Sequence, residues 1–261
     1  MRSSDMTSTG GSPSGADQAF EAVFESLRDV RGWMTRNQAR RLWVAAARTA
    51  AGDRIVEIGS YHGRSAIVLA SASPAGVEVI AIDPHAGNDR GPQEIRGAAE
   101  QGQRDHEAFI ANLTAAGVRD RVRHVRQTSQ TSTDQVPGEL EVVYIDGAHR
   151  FGPALADIRR WGAKVAPGGT LLIHDSFSSI GVTLALLVSL VPGGRFRYVG
   201  RSGSLAEYRN GAMTPADRLD STARQFGQLG YFARNVLYKV LIVSRLRRLA
   251  MLLGSDGEWP Y

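Results

Sequence analysis

Short apolar runs alternate with helical patterns along most of the chain, and this constrains the fold more than any other feature. Runs at 54–58, 77–82, 121–126, 141–145 and 170–174 read as strands. Helical spacing fills 64–73, 103–116, 153–165 and 180–190 between and after them. Strands separated by helices lie parallel, with helices on both faces of one sheet. Two last runs, 195–199 and 204–209, are joined only through Arg201-Ser202-Gly203. A connection that short joins antiparallel strands. The expectation is therefore α/β: a doubly wound, seven-stranded sheet closed by a terminal antiparallel hairpin.

The 261 residues leave room for additions to that sheet. Residues 1–17 are rich in Ser, Thr, Gly and Pro and read as a disordered leader without the apolar run of a signal peptide. Residues 18–50 read as an N-terminal helical cap, with helices over Gln18–Val30 and Arg36–Thr49 and Thr35 as the N-cap of the second. The sheet domain takes 51–210, and 211–261 form a tail. There is no cysteine, which excludes disulfides and thiolate metal sites and suits a cytoplasmic protein. No 18-residue apolar stretch is present to span a bilayer.

The stretch RIVEIGSYHGRS, residues 54–65, ends the first strand in a loop with Gly59 and Gly63 and starts a helix near Ser65. Such a unit cradles a nucleotide-like cofactor: glycine permits the tight turn and close approach, and the helix start supplies unpaired N–H groups. Polar residues finish the other strands: Asp83, then Thr128 and Ser129 after the third, then Asp146, then His174-Asp175. In open α/β sheets, ligands sit beyond these carboxyl ends. An acid at Asp83 suits ribose hydroxyls. Asp146-Gly-Ala-His149 sets a carboxylate and an imidazole three residues apart, and His62 and His85 flank the same edge. Residues 86–102, polar and glycine-rich, read as a lid or a solvated loop.

Glu57-x-Gly59-x-x-x-Gly63 resembles the first motif of class I S-adenosylmethionine-dependent methyltransferases, whose Rossmann-like fold also ends in an antiparallel hairpin. EIGSYHGRS, YIDGAH and the Pro167-Gly168-Gly169 turn together resemble the metal-dependent sugar O-methyltransferases of macrolide biosynthesis, the macrocin and mycinamicin enzymes, over about residues 30–210. The resemblance implies transfer of a methyl group from S-adenosylmethionine to a hydroxyl of a small molecule, a sugar or glycoside. It implies cofactor contacts from Glu57, Gly59, Ser60, Tyr61, Gly63, Ser65, Asp83, Thr128, Ser129 and Asp146, and His149 as general base beside Asp146. It also implies a divalent cation, Mg2+ or Mn2+, held by Asp146, His174 and Asp175. Position 174 is usually acidic in that family. Imidazole is a poor Mg2+ ligand and suits softer ions better, so a site with fewer anionic ligands and a site without metal both stand.

The net charge of +5 is unevenly placed: residues 224–248 carry six basic residues and no acid, leaving −1 elsewhere. This gives no argument that the sheet domain binds nucleic acid. Apolar residues at helical spacing through 232–253 make the tail a basic amphipathic segment. It could meet a membrane peripherally over 224–253, join a second copy in a homo-oligomer, or pack on its own domain. A catalytically silent module docking through this tail is the alternative to an enzyme. A dehydrogenase is disfavoured by the glycine spacing and the terminal hairpin.

Overall fold

A computed structural model describes residues 15–87, 97–192 and 194–254. Most of the expected leader and residues 88–96 of the expected lid lie outside that range. Two helices, α1 (Gly15–Ser26) and α2 (Arg36–Ala46), precede the sheet. Thr35 caps α2 in a reciprocal box, its hydroxyl accepting from Gln38 N while the Gln38 side chain accepts from Thr35 N. There follow β1 (Arg54–Ile58), α3 (Arg64–Ala72), β2 (Glu78–Ile82), α4 (Ala99–Ala115), β3 (Val122–Val125) and β4 (Leu140–Ile145). Then come α5 (Phe151–Gly162), β5 (Val165–Ile173), α6 (Ile180–Ser189), β6 (Phe196–Ser202) and β7 (Leu205–Asn210). The tail is three helices: α7 (Pro215–Phe226), α8 (Leu229–Val243) and α9 (Arg247–Leu252).

The seven strands form one sheet in the order β3-β2-β1-β4-β5-β7-β6. β1 to β5 are parallel neighbours, and β7 runs antiparallel between β5 and β6. Successive residues of each inner strand enter opposite layers. Ile55, Val79, Val142 and Tyr144 join the layer of α1–α4, where Leu42, Leu69 and Phe109 are fully buried. Val56, Ile80, Val143 and Ile145 join the layer of α5 and α6, packed on Ile158, Trp161 and Leu186. Burial on both faces is why these strands read as continuous apolar runs.

Two boundaries moved for identifiable reasons. α4 starts at Ala99 rather than 103, because the ends of the inserted segment are tied together. Ala98 N donates to Ala86 O at 3.0 Å. A Cβ on Gly102 would stand 2.0 Å from His85 O, so glycine lets the helix start against residue 85. β5 starts at Val165 and absorbs the Pro167-Gly168-Gly169 turn as an irregularity in its pairing with β4.

Candidate active site

The order of the sheet brings four strand ends to one rim. Each residue just past a strand still pairs with its neighbour: Gly59 N with Ile82 O, Asp83 N with Val125 O, Asp146 N with Ile58 O, and His174 N with Ile145 O. Side chains that follow these bonds therefore project into one cleft. The cleft encloses about 470 Å3, within the range of small-molecule sites. Its lining includes Gly59, Ser60, Tyr61, Ser65, Asp83, Thr128, Ser129, Asp146, His149, His174 and Asp175, all anticipated from the sequence.

Gly59 and Gly63 both have left-handed backbones, with φ of +84° and +85°. A Cβ on Gly59 would also lie 2.2 Å from Asp146 O, so this turn admits only glycine. Gly63 packs on Phe109 instead of lining the cleft. Glu57 also lies behind the wall, fully buried in β1, and both its carboxyl oxygens lack a hydrogen-bond partner. Burial pushes its pKa up to about 8.

Asp83 is already engaged by the loop it faces. Its Oδ2 accepts from Ser60 N at 2.9 Å and Tyr61 N at 2.8 Å, and its Oδ1 accepts from His85 N at 2.7 Å. A carboxylate accepts about four hydrogen bonds, so roughly one position is left for a ligand. The Ser129 hydroxyl likewise donates to Asp157, a cleft-lining acid whose pKa burial pushes up to about 6. Thr128 shares a hydrogen bond with Thr131.

The opposite wall is a chain of charged pairs. His149 Nε2 lies 2.8 Å from Asp175 Oδ2, and His174 Nδ1 lies 3.2 Å from Asp146 Oδ1. Tyr144 Oη donates to Asp146 Oδ2 at 2.8 Å. Burial pushes the His149 imidazole down, but Asp175 and Asp146 outweigh it and raise its pKa above the ordinary 6.5. For His174 burial is again opposed, and Asp146 with Asp175 holds it well above that value. Burial opposes the charge on Asp175, yet the two histidines hold its pKa well below the carboxylate range. Asp175 and Phe177 both sit at φ +56°, a strained conformation for residues with side chains. The tail steadies this loop: Asn235 Nδ2 donates to Phe177 O at 3.3 Å, and Lys239 Nζ to Ser178 O at 3.0 Å. Gly181 allows α6 to start against residue 149, since a Cβ there would meet His149 O at 2.3 Å.

Residues 56–176 match the family model described as a methyltransferase domain. The chain is 27% identical over 195 residues to the uncharacterized protein y4gI of Sinorhizobium fredii, a match covering 69% of this chain and 20% of that protein. The chain thus spans about a fifth of the length of the curated relative it matches. Among solved structures, the O-methyltransferase NovP superposes with a TM-score of 0.56 at 15% identity, covering 76% of this chain and 98% of that one. TomG from Streptomyces achromogenes, an O-methyltransferase in complex with SAM, gives 0.53 at 16% identity, covering 75% and 91%. An O-methyltransferase from Bacillus cereus in complex with SAH gives 0.53 at 16%, covering 74% and 91%. These likenesses show a shared fold.

The expected metal site finds no support. Asp146, His174 and Asp175 do not fit a divalent cation: among the described residues, no group of three or more His, Asp or Glu side chains could hold a metal ion. The physical reason is the pairing above. Each acid is turned to a histidine, Asp175 to His149 and Asp146 to His174, and not toward a shared point between them. Sequence reasoning missed Tyr144 and Asp157. Tyr144 had a signal, because residues two apart on a strand share a side, which sets its hydroxyl beside Asp146. Asp157, on α5, had none, since its contact with Ser129 exists only once α5 packs on the sheet.

Proposed function

We propose that the protein is an S-adenosylmethionine-dependent O-methyltransferase acting on a hydroxyl of a small molecule, a sugar or glycoside, with His149 as the general base. The observation that carries this reading is that the His149–Asp175 pair opens into the same cleft as the Gly59 loop and Asp83. The residues suit the cofactor. Gly59 gives the loop its left-handed turn at the cleft, and Asp83 keeps an acceptor position facing it. Ser60, Tyr61, Ser65, Thr128 and Ser129 complete the lining on that side. S-Adenosylmethionine supplies, when bound, a methyl group already activated by its sulfonium.

The protein's own task is to align the acceptor and remove one proton. With Nε2 turned to Asp175, His149 carries its proton there and leaves Nδ1 as the acceptor. The hydroxyl proton passes to Nδ1, and Asp175 stabilises the imidazolium that results. An aromatic platform supports the sugar assignment. Trp33 stacks on Tyr61 with ring centroids 5.5 Å apart, and both line the cleft. Resemblance to sugar O-methyltransferases points the same way. Titration calorimetry with S-adenosylhomocysteine tests the cofactor half: one-to-one binding is expected, and a folded sample that binds none would sink the proposal.

A further inference from the structure

The last two helices present a surface that neither the core nor the cleft uses. α8 turns Asn235, Tyr238 and Leu241 inward. On its other side Leu237, Val240 and Val243 are exposed, at successive intervals of three residues that place them along one face. The chain bends at Arg245, where φ is +62°, and α9 follows with Leu249 and Leu252 exposed, Leu252 to 84%. Tyr238 Oη donates to Leu253 O at 2.6 Å and holds the end of α9 against α8. So many large apolar side chains in one short stretch mark an interaction surface.

Its charge selects the partner. Residues 224–254 contain six basic residues and no acid. Lys239 is turned inward to Ser178, but Arg234 on α8, Arg245 at the bend and Arg248 on α9 are exposed. A second copy would set one acid-free cationic face against another, with nothing on either to neutralise it. A nucleic-acid backbone would meet the arginines and give the leucines no apolar partner. An anionic bilayer offers phosphates for the one and acyl chains for the other. We infer that α8 and α9 dock the protein on the surface of an anionic membrane. Among the described residues no helix is long and apolar enough to cross a membrane, so α8 and α9 lie in the interface.

Flotation of the full chain with vesicles tests this, using phosphatidylcholine alone or mixed with phosphatidylglycerol. Binding is expected on the mixed vesicles and is released by high salt. Each arginine near such a surface contributes roughly a fivefold factor, so R245E/R248E weakens binding at least about 25-fold. V240D/L252D abolishes binding without changing the circular-dichroism melt. Two results overturn the inference. One is a folded wild-type chain that stays off the anionic vesicles. The other is a dimer, seen by light scattering, that V240D/L252D splits into monomers. Calorimetry with S-adenosylhomocysteine on the same samples reports separately on the methyltransferase assignment.

Discussion

Replacing Glu57 by glutamine stabilises this protein, and by more as the pH rises. Glu57 is fully buried in β1 and neither carboxyl oxygen has a hydrogen-bond partner. Burial pushes its pKa from the ordinary 4.5 to about 8. The unfolded chain ionises it at the ordinary value, so between those limits folding must take up a proton. Wild-type stability from this group is whole below 4.5 and is lost as the pH rises through about 8. At about 1.36 kcal/mol per pH unit, the loss is about 3 kcal/mol at pH 7 and about 5 kcal/mol above pH 8. Glutamine is neutral in both states and nearly isosteric, so E57Q escapes the loss. For a chain of this size 1 kcal/mol moves the melting temperature about 2–4 °C, which sets the gain at roughly 6–12 °C at pH 7. Melting curves of both proteins at about pH 5, 7 and 8.5 measure it. A gap that fails to widen with pH, or a glutamine variant less stable at the highest pH, refutes the assignment of a neutral buried carboxyl. Because Glu57 lies behind the cleft wall, affinity for S-adenosylhomocysteine stays unchanged.

Three further outcomes follow from the cleft. H149A retains cofactor affinity and loses turnover by about 10²–10⁴-fold, read by calorimetry and a methyl-transfer assay; unchanged turnover removes the base from His149. With the base intact, turnover rises with pH through a midpoint above 6.5, because Asp175 and Asp146 raise the imidazole. D175N moves that midpoint down and lowers turnover, while the asparagine tolerates the φ of +56° that this position requires; a pH profile that stays in place separates Asp175 from His149. G59A abolishes cofactor binding or folding, since its Cβ would meet Asp146 O at 2.2 Å on a left-handed backbone; a soluble alanine variant with normal affinity shows that the turn can open.

The tail illustrates how far pattern reading reaches. Its helical spacing and basic charge were visible along 224–253, and so was the choice among membrane, partner and self-packing. The structure assigns one side of it to self-packing and leaves the other exposed. Asn235, Tyr238 and Lys239 serve the domain, while Leu237, Val240 and Leu252 face solvent. Periodicity identifies a stripe; only the packed neighbour says which side of the helix it covers.

The strand ends divide in the same way. Alternation of apolar runs and helices determined the sheet, its parallel strands and its terminal hairpin, because a strand buried on both faces leaves an unbroken apolar signature in the chain itself. It also determined that Asp83, Asp146, His149 and Asp175 share one rim, because parallel strands point the same ends the same way. What the tertiary structure decided is which of these groups meet. Asp175 turns to His149 and His174 to Asp146. That choice depends on the stagger of β4 against β5, on a left-handed backbone at Asp175, and on a loop held from α8 some sixty residues away. Two of these three reach across the sequence. Spacing along a chain reports which groups reach a site; the partner each finds is set by desolvation and by neighbours brought from elsewhere in the sequence.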